Sequence, residues 1–382
     1  MFGQQEFLVV GLWSQARAGG RCELLERTVI HENQIEFLDE TWRAPSRRAK
    51  ARSGVPMMLA TAYVATRPSG GTGQRRAKLE RLAKKAPEAM VKVTGRQRGG
   101  AHTLAHLDYI ARHGKLEVET SDAEMLRGKE RLEEIAAEWS LREDGTTKRR
   151  DPLTSVSMIL SMPPGSDPEI VRNAARAFAR VEMERFPYVM ALHTDTDHPH
   201  VHLTVAARGE GGERFNPRKD DLARYRETFA RELQARGMEA EATPRRARGI
   251  VQKRETMPVR KMRDRADSGQ GETPRVLQAA RRTTEAMMGE SPPGYRAWEE
   301  QTFVRQAKVR TAYAAAADQL AASSSPADRA LAATTRAFLK EMPEPATRDR
   351  EAHLAAHRAR TADPAKAVEP LRLPPSRDDL GR

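Results

Sequence analysis

The stretch His193-Thr-Asp-Thr-Asp-His-Pro-His-Val-His202 packs four of the chain's ten histidines and two carboxylates into a single short segment. Neutral imidazoles are common ligands of divalent metals, because they donate a lone pair without cancelling the ion's charge. Tyr188-Val-Met-Ala-Leu192 precedes this segment and Leu203-Thr-Val-Ala-Ala207 follows it. Both flanks are short and apolar, so both read as buried strands. Pro199 breaks any helix, and a strand starting after it sends His200 and His202 to one face, since strand side chains repeat every two residues. His193 arrives at the end of the neighbouring strand. The spacing therefore predicts three imidazoles converging on a divalent metal, with Asp195 or Asp197 donating the outer hydrogen bond that fixes a tautomer. Such an ion keeps its full charge and open positions, which suits a Lewis acid acting on an anionic substrate such as a phosphodiester. Zinc would satisfy the same ligands. His198, between the ligands, reads either as an acid–base or phosphate-contacting group or as a solvated turn residue.

A metal without a protein nucleophile makes a hydrolase. With a tyrosine nearby it can make a transesterase, in which the phenolate attacks phosphorus and stays attached. Of six tyrosines, Tyr109 has the most suggestive setting, within Ala101-His-Thr-Leu-Ala-His-Leu-Asp-Tyr-Ile-Ala-Arg-His-Gly-Lys115. It lies one helical turn after His106 and one before His113. Arg112, His113 and Lys115 are placed to contact DNA or to lower its pKa. A tyrosine that merely anchors a helix to the core has the same local pattern.

The bulk charge narrows the partner. Lys plus Arg total 66 against 53 Asp plus Glu, a net charge of +13 over 382 residues. An excess of that size favours a polyanion (DNA, RNA or an anionic membrane surface) over a small metabolite. The single cysteine, Cys22, excludes an intramolecular disulfide framework and a cysteine-rich zinc module, and fits a reducing cytoplasm. Phe7 to Trp13 is too short and too poorly flanked for a signal sequence, and no membrane insertion is expected.

The elements that must position these residues follow from pattern. Residues 1–84 form a basic N-terminal extension, with arginines between Trp42 and Arg52, a glycine-rich linker at Arg67–Gly73 and a basic helix from Arg75 to Ala86. Residues 85–255 form the candidate nuclease domain. Met90–Thr94 alternates as a strand, followed by a basic glycine turn, Gly95-Arg96-Gln97-Arg98-Gly99-Gly100, whose arginines are candidate DNA contacts. Ala101–His113 is helical, Leu116–Glu119 is a strand, and Ala123–Trp139 is a charged helix. Ser155–Met162 is a strand. Glu169–Phe186 is a helix capped by Ser166 or Asp167, with Pro168 in its first turn. After the histidine hairpin, the basic turn Asn216-Pro-Arg218-Lys219 leads into a helix over Asp220–Gly237. Residues 256–382 read as loosely packed helices with polar breaks at Ser268–Gly271 and Ser323–Pro326, then a disordered tail after about Ala362.

The pattern His-x-Asp-x-Asp-x-Pro-His-x-His over 193–202 resembles the three-histidine motif of the relaxases, the HUH-type nicking enzymes of conjugative and mobilisable plasmids. Leu107-Asp-Tyr-Ile-Ala-Arg-His-Gly-Lys-Leu-Glu117 resembles their tyrosine motif, above all in the branch containing the T-DNA border endonuclease of plant-transforming bacteria. Ser157-Met-Ile-Leu-Ser-Met-Pro-Pro-Gly-Ser166 resembles the segment between the two. The likeness covers about residues 85–255.

The resemblance implies an α+β fold: a relaxase-like antiparallel sheet with helices packed on it and central strands carrying the histidines, followed by a mostly helical C-terminal region. It implies Tyr109 as nucleophile, His193, His200 and His202 on Mg²⁺ or Mn²⁺, Asp195 orienting a ligand or assisting deprotonation, and Ser161 as a substrate contact. The expected activity is site- and strand-specific nicking at an origin of transfer. Expected partners are single-stranded or supercoiled origin DNA, accessory relaxosome proteins and a type IV secretion coupling protein. The protein would act in the bacterial cytoplasm and be exported with DNA through the channel. A lone motif tyrosine argues against a two-tyrosine mechanism, and no Gly-x-x-x-x-Gly-Lys-Ser/Thr loop points to a fused helicase. A rolling-circle replication initiator would share the chemistry. A non-catalytic DNA-binding mobilisation protein or a zinc hydrolase would use the histidines differently.

Overall fold

The computed structural model describes residues 72–142, 152–252, 255–286, 297–347 and 350–351. In chain order the elements are α1 (Thr72–Ala83), β1 (Met90–Arg98), α2 (Gly99–Ile110), β2 (Val118–Thr120), β3 (Met125–Leu126), α3 (Lys129–Leu141), β4 (Leu153–Ser161), α4 (Pro168–Glu182), β5 (Tyr188–His193) and β6 (His200–Ala206). Then come α5 (Lys219–Gln234), a 3₁₀ turn at Arg245–Arg248, α6 (Met257–Asp267), α7 (Arg275–Ala286), α8 (Ala297–Ala321) and α9 (Pro326–Glu341). The strands form one antiparallel six-stranded sheet in the order β1-β4-β6-β5-β2-β3. The α+β class expected from sequence is the class observed.

The period-2 pattern of the central strands divides the sheet into two unlike faces. On one, Val156, Met158 and Leu160 of β4 and Val201, Leu203 and Val205 of β6 meet Phe178 of α4 and Phe229 of α5 in the main core. The other face carries Ser155, Ser157, Ile159 and Ser161 of β4 beside Ala206, Thr204, His202 and His200 of β6. There α2 and α3 cover one part through Leu107, Ile110, Ala136 and Trp139 against Val189, Ala191 and Ala206. The histidine end of this face lies beyond that apolar cover.

Three local expectations needed correction. The glycine turn at 95–100 is instead strand as far as Arg98. Gly95 makes a bulge on β1, where the register shifts between Val93 and Gly95. A Cβ there would meet Gln97 Nε2 at 2.7 Å and Ser157 Oγ at 2.8 Å, so a larger residue would have to push these side chains aside. The charged helix proposed from Ala123 begins only at Lys129, because Met125 and Leu126 pair with Glu119 and Val118 to make a short edge strand. Two of the C-terminal helices are not loosely packed: Tyr313, Ala316, Leu320, Leu331 and Phe338 of α8 and α9 bury against Leu79 and Leu82 of α1, while the described residues of α6 and α7 stay largely exposed. Arg76 pairs with Asp328 at 2.8 Å across the same contact. Tyr313 donates to the Ala247 carbonyl at 2.9 Å and so ties α8 to the 3₁₀ turn that follows α5. Asp167 caps α4 as expected, accepting from the Glu169 amide at 2.8 Å. Cys22, Phe7–Trp13, the arginines of 42–52, most of the 67–73 linker and the tail after Ala362 lie outside the described residues. Among the described residues no helix is long and apolar enough to cross a membrane.

Candidate active site

Two adjacent central strands deliver the three histidines. In β5 and β6, His193 pairs directly with His200 and Ala191 with His202, so all three imidazoles share a face at one end of the sheet. Their ring centroids stand 4.3 Å (His193–His202), 5.1 Å (His200–His202) and 5.3 Å (His193–His200) apart. One nitrogen from each falls within 4.8 Å of the others.

Backbone carbonyls assign two of the tautomers. His193 Nε2 lies 2.7 Å from the Ile110 carbonyl, which can only accept, so the proton sits on Nε2 and the lone pair on Nδ1. His200 Nδ1 donates to the His198 carbonyl at 2.9 Å, leaving its Nε2 lone pair available. His202 is 6% exposed, and its Nδ1 is buried without a partner among the described residues. Burial, reinforced by His193 and His200, lowers the His202 pKa to about 3. Burial likewise lowers the pKa of His193, opposed by the Ile110 hydrogen bond and supported by the positive Arg112. The cluster thus offers a lone pair from each of two tautomer-fixed rings, holds His193 and His202 toward the neutral form, and leaves one buried nitrogen of His202 unsatisfied. Those properties fit a divalent cation.

The tyrosine reaches the cluster along α2, which starts at the far end of the sheet and runs back. Thr103 Oγ1 meets Ser155 Oγ at 3.1 Å near its start, and Ile110 meets His193 at its end. Leu107 and Ile110 are fully buried and anchor the helix, whereas Tyr109 is 50% exposed. A core-anchoring tyrosine would be buried, so exposure decides against that role. The Tyr109 ring lies 6.1 Å from His202, edge-on at 86°. His106 stacks 6.4 Å away on the same helix, its pKa lowered by burial. The Arg112 guanidinium lies 5.7 Å from the tyrosine ring.

Just after α2 the chain turns through Arg112, His113 and Gly114 at φ 52°, 56° and 77°. Left-handed backbone costs a non-glycine residue roughly 1–2 kcal/mol, and such strain tends to persist where it positions something. Here it carries Arg112 back over β5. Its Nη2 lies 3.1 Å from His193 Nδ1 and also pairs with Asp195. Desolvation opposes ionisation of Asp195, but its backbone hydrogen bond and Arg112 outweigh that and hold its pKa below the ordinary value.

The other residues singled out by sequence divide by location. Ser161 is buried at the end of β4, directly opposite His200. His198 contributes its carbonyl, which accepts from Thr196 Oγ1 at 3.0 Å as well as from His200. His113 is exposed and bonds Asp108 at 2.6 Å, and Lys115 is exposed in the turn after α2. Four cations are not brought to the histidines. Arg96 lies past the Gly95 bulge opposite Val156, whose side chain belongs to the main core on the other face, and it donates to Asn216 at 3.1 Å. Arg98 precedes α2, with its carbonyl accepting from His102 at 3.0 Å. Arg218 and Lys219 open α5, beyond the far end of β6. The six residue steps from His200 to Ala206 span roughly 20 Å. Sequence reading missed Lys92, an exposed cation in register with Ile159 and, through it, His202. The alternation of Met90–Thr94 places Lys92 on the face opposite Val91 and Val93, which was the available signal.

The lowered histidine pKa values predict a pH dependence of stability. In the unfolded chain these imidazoles titrate near 6.5. As pH falls from there toward about 3, the unfolded chain binds protons that folded His202 refuses, so stability declines across that window. Thermal unfolding in chelator should show the melting temperature dropping below about pH 6.5. His202→Leu should flatten that slope, and a slope equal to the unsubstituted protein's would exclude His202 as its source.

Residues 109–238 match the family model described as Relaxase: MobA/VirD2-like, nuclease domain. The T-DNA border endonuclease VirD2 of Rhizobium radiobacter is 29% identical over 178 residues, covering 41% of this chain and 42% of that protein. Its counterpart in Agrobacterium fabrum is 29% identical over 180 residues, covering 41% and 40%. The chain therefore spans about two fifths of the length of the curated relatives it matches. A chain from a solved structure on the "Molecular Basis of Vancomycin Resistance Transfer in Staphylococcus aureus" aligns over 41% of this chain and 99% of its own, at 14% identity and a TM-score of 0.28. The resemblance to relaxases drawn from three sequence segments is borne out, and the matched region contains Tyr109 and all three clustered histidines.

Proposed function

We propose that this chain nicks one strand of DNA at an origin of transfer by tyrosine transesterification. The observation that carries the reading is an exposed tyrosine held edge-on, 6.1 Å from the buried His202 of a three-histidine cluster. His193, His200 and His202 would hold Mg²⁺ or Mn²⁺. When bound there, such an ion supplies Lewis-acid withdrawal of charge from the scissile phosphate.

The chain's own residues supply the rest. The Ile110 and His198 carbonyls hold two imidazoles in fixed tautomers, which removes a reorganisation cost from ligand binding. The α2 helix holds the exposed Tyr109 ring beside His202, and its phenol would supply the attacking oxygen. That oxygen, once it has lost its proton, bonds to phosphorus while the bond from phosphorus to the 3′ oxygen breaks. The products are a 5′-phosphotyrosyl strand and a 3′-hydroxyl that takes up a proton. One phosphodiester replaces another, so the step is close to isoenergetic and can run backward to rejoin ends. Lys92, Arg112 and Lys115 lie on or beside the same end of the sheet and suit phosphate contacts. The C-terminal region would bind accessory relaxosome proteins or carry the signal for a secretion coupling protein, in the cytoplasm.

The test is to incubate the protein with Mn²⁺ and a supercoiled plasmid carrying the DNA that flanks its gene. A nicked circle bearing covalently bound protein on a denaturing gel is the expected product. Nicks without attached protein would instead indicate a metal-dependent hydrolase, and the absence of nicks on every flanking fragment would sink the reading.

A further inference from the structure

We infer that Arg112 is a built-in competitor for the cation site: its guanidinium and a divalent ion cannot both engage His193, and the cation must displace it to bind. The inference rests on reading the histidine cluster as a cation site. The Ile110 carbonyl takes the proton-bearing Nε2 of His193, so Nδ1 holds the only lone pair that ring can offer. Arg112 Nη2 stands 3.1 Å from that lone pair, which can be shared with one partner at a time. Like charges add to the exclusion, because a divalent ion seated among the three rings would lie beside the guanidinium's positive charge.

Two features hold the arginine in that position. Asp195 pairs with the same Nη2, and left-handed backbone at Arg112 and His113 swings the side chain off the end of α2 and over β5. The Arg112 side chain is one-third exposed and Asp195 about half, so the pair lies at the mouth of the site and has room to open. Arg112 is thus a positioning residue that sets how tightly and when the histidines accept an ion. A purely structural arginine would make the opposite prediction, since removing it would loosen the turn and weaken ion binding.

Calorimetric titration of the full chain with Mn²⁺ alone separates the two. Arg112→Gln and Arg112→Ala should each bind Mn²⁺ about tenfold more tightly than the unsubstituted protein, within the usual range of coupling between competing ligands. A variant-free measurement covers the case in which either substitution unfolds the turn. Phenylglyoxal labelling of the unsubstituted protein, read by peptide mass mapping, should show Arg112 becoming more reactive when Mg²⁺ is added. Equal or weaker Mn²⁺ affinity in folded variants, or Arg112 labelling unchanged by a bound ion, overturns the inference and leaves the proposed function standing. If neither the unsubstituted protein nor the variants take up Mn²⁺, the cation reading of the histidines falls too, and the inference falls with it.

Discussion

Tyr109→Phe should abolish the covalent protein–DNA adduct while leaving the fold and DNA binding in place. The substitution removes one oxygen and nothing else. Because the ring is 50% exposed, no buried hydroxyl loses a partner, and a change in stability within about 0.5 kcal/mol is expected. The chemical effect is far larger, since deleting a nucleophile typically costs roughly 10⁴- to 10⁶-fold in rate. The other described tyrosines are poor substitutes. Tyr188, Tyr225 and Tyr313 are 5%, 4% and 0% exposed. Burial raises the pKa of Tyr188, and that of Tyr225 to about 12, which disfavours the phenolate. Adduct formation is measured by a shifted protein band carrying labelled DNA on a denaturing gel, and binding by fluorescence anisotropy with a single-stranded oligonucleotide. An undiminished adduct in Tyr109→Phe would move the nucleophile elsewhere, and loss of binding together with the adduct would make Tyr109 a docking residue.

The histidine cluster was legible because its determinants are local. Pro199 and a two-residue spacing fix which face His200 and His202 share, and a short hairpin places His193 opposite. From the residues alone Tyr109 stood out only by its company on one helix face, and the resemblance of Leu107–Glu117 to a relaxase tyrosine motif made the choice; nothing in the pattern located that face relative to a strand more than eighty residues later. The tautomers were invisible, since they depend on the carbonyls of Ile110 and His198, and carbonyls carry no sequence signature. Arg112 appeared as one more cation, because two consecutive non-glycine residues in left-handed backbone contradict local preference and are imposed by tertiary contacts.

Longer-range features were harder still. The Gly95 bulge reads as a turn signal in isolation, yet in the sheet it turns Arg96 to the face away from the histidines. Net charge favoured a polyanionic partner without locating the cations, and the fold separates Arg96, Arg98, Arg218 and Lys219 from the histidines and leaves Lys92 near them. Likewise α1 and α9, joined by the Arg76–Asp328 pair over 252 positions, share a core that no window of sequence could pair. The sheet and its helices are thus accompanied by a helical cluster built from both sides of them in the sequence.

His202→Ala should remove Mn²⁺ binding and strand cleavage together, and this is where the cation reading is most exposed to refutation. Altering a residue that merely orients a ligand typically costs 10- to 100-fold in metal affinity, so loss of a ligand should cost about 100-fold or more. A structural histidine predicts something different. If His202 served packing alone, its truncation would lower stability and spare the ion. Its Nδ1, however, is buried with no partner among the described residues. Truncation leaves a cavity but also removes a buried unsatisfied polar group, and the two offset in part, so His202→Ala should lose the ion far out of proportion to any loss of stability at neutral pH. Calorimetry with Mn²⁺, thermal unfolding and the plasmid nicking assay on the same samples distinguish these outcomes. Chelator should mimic the variant by stopping adduct formation, with added Mn²⁺ restoring it in the unsubstituted chain but not in His202→Ala. Full cleavage in chelator would mean that the three imidazoles act on the phosphate directly, and the case for a metal at this hairpin would be lost.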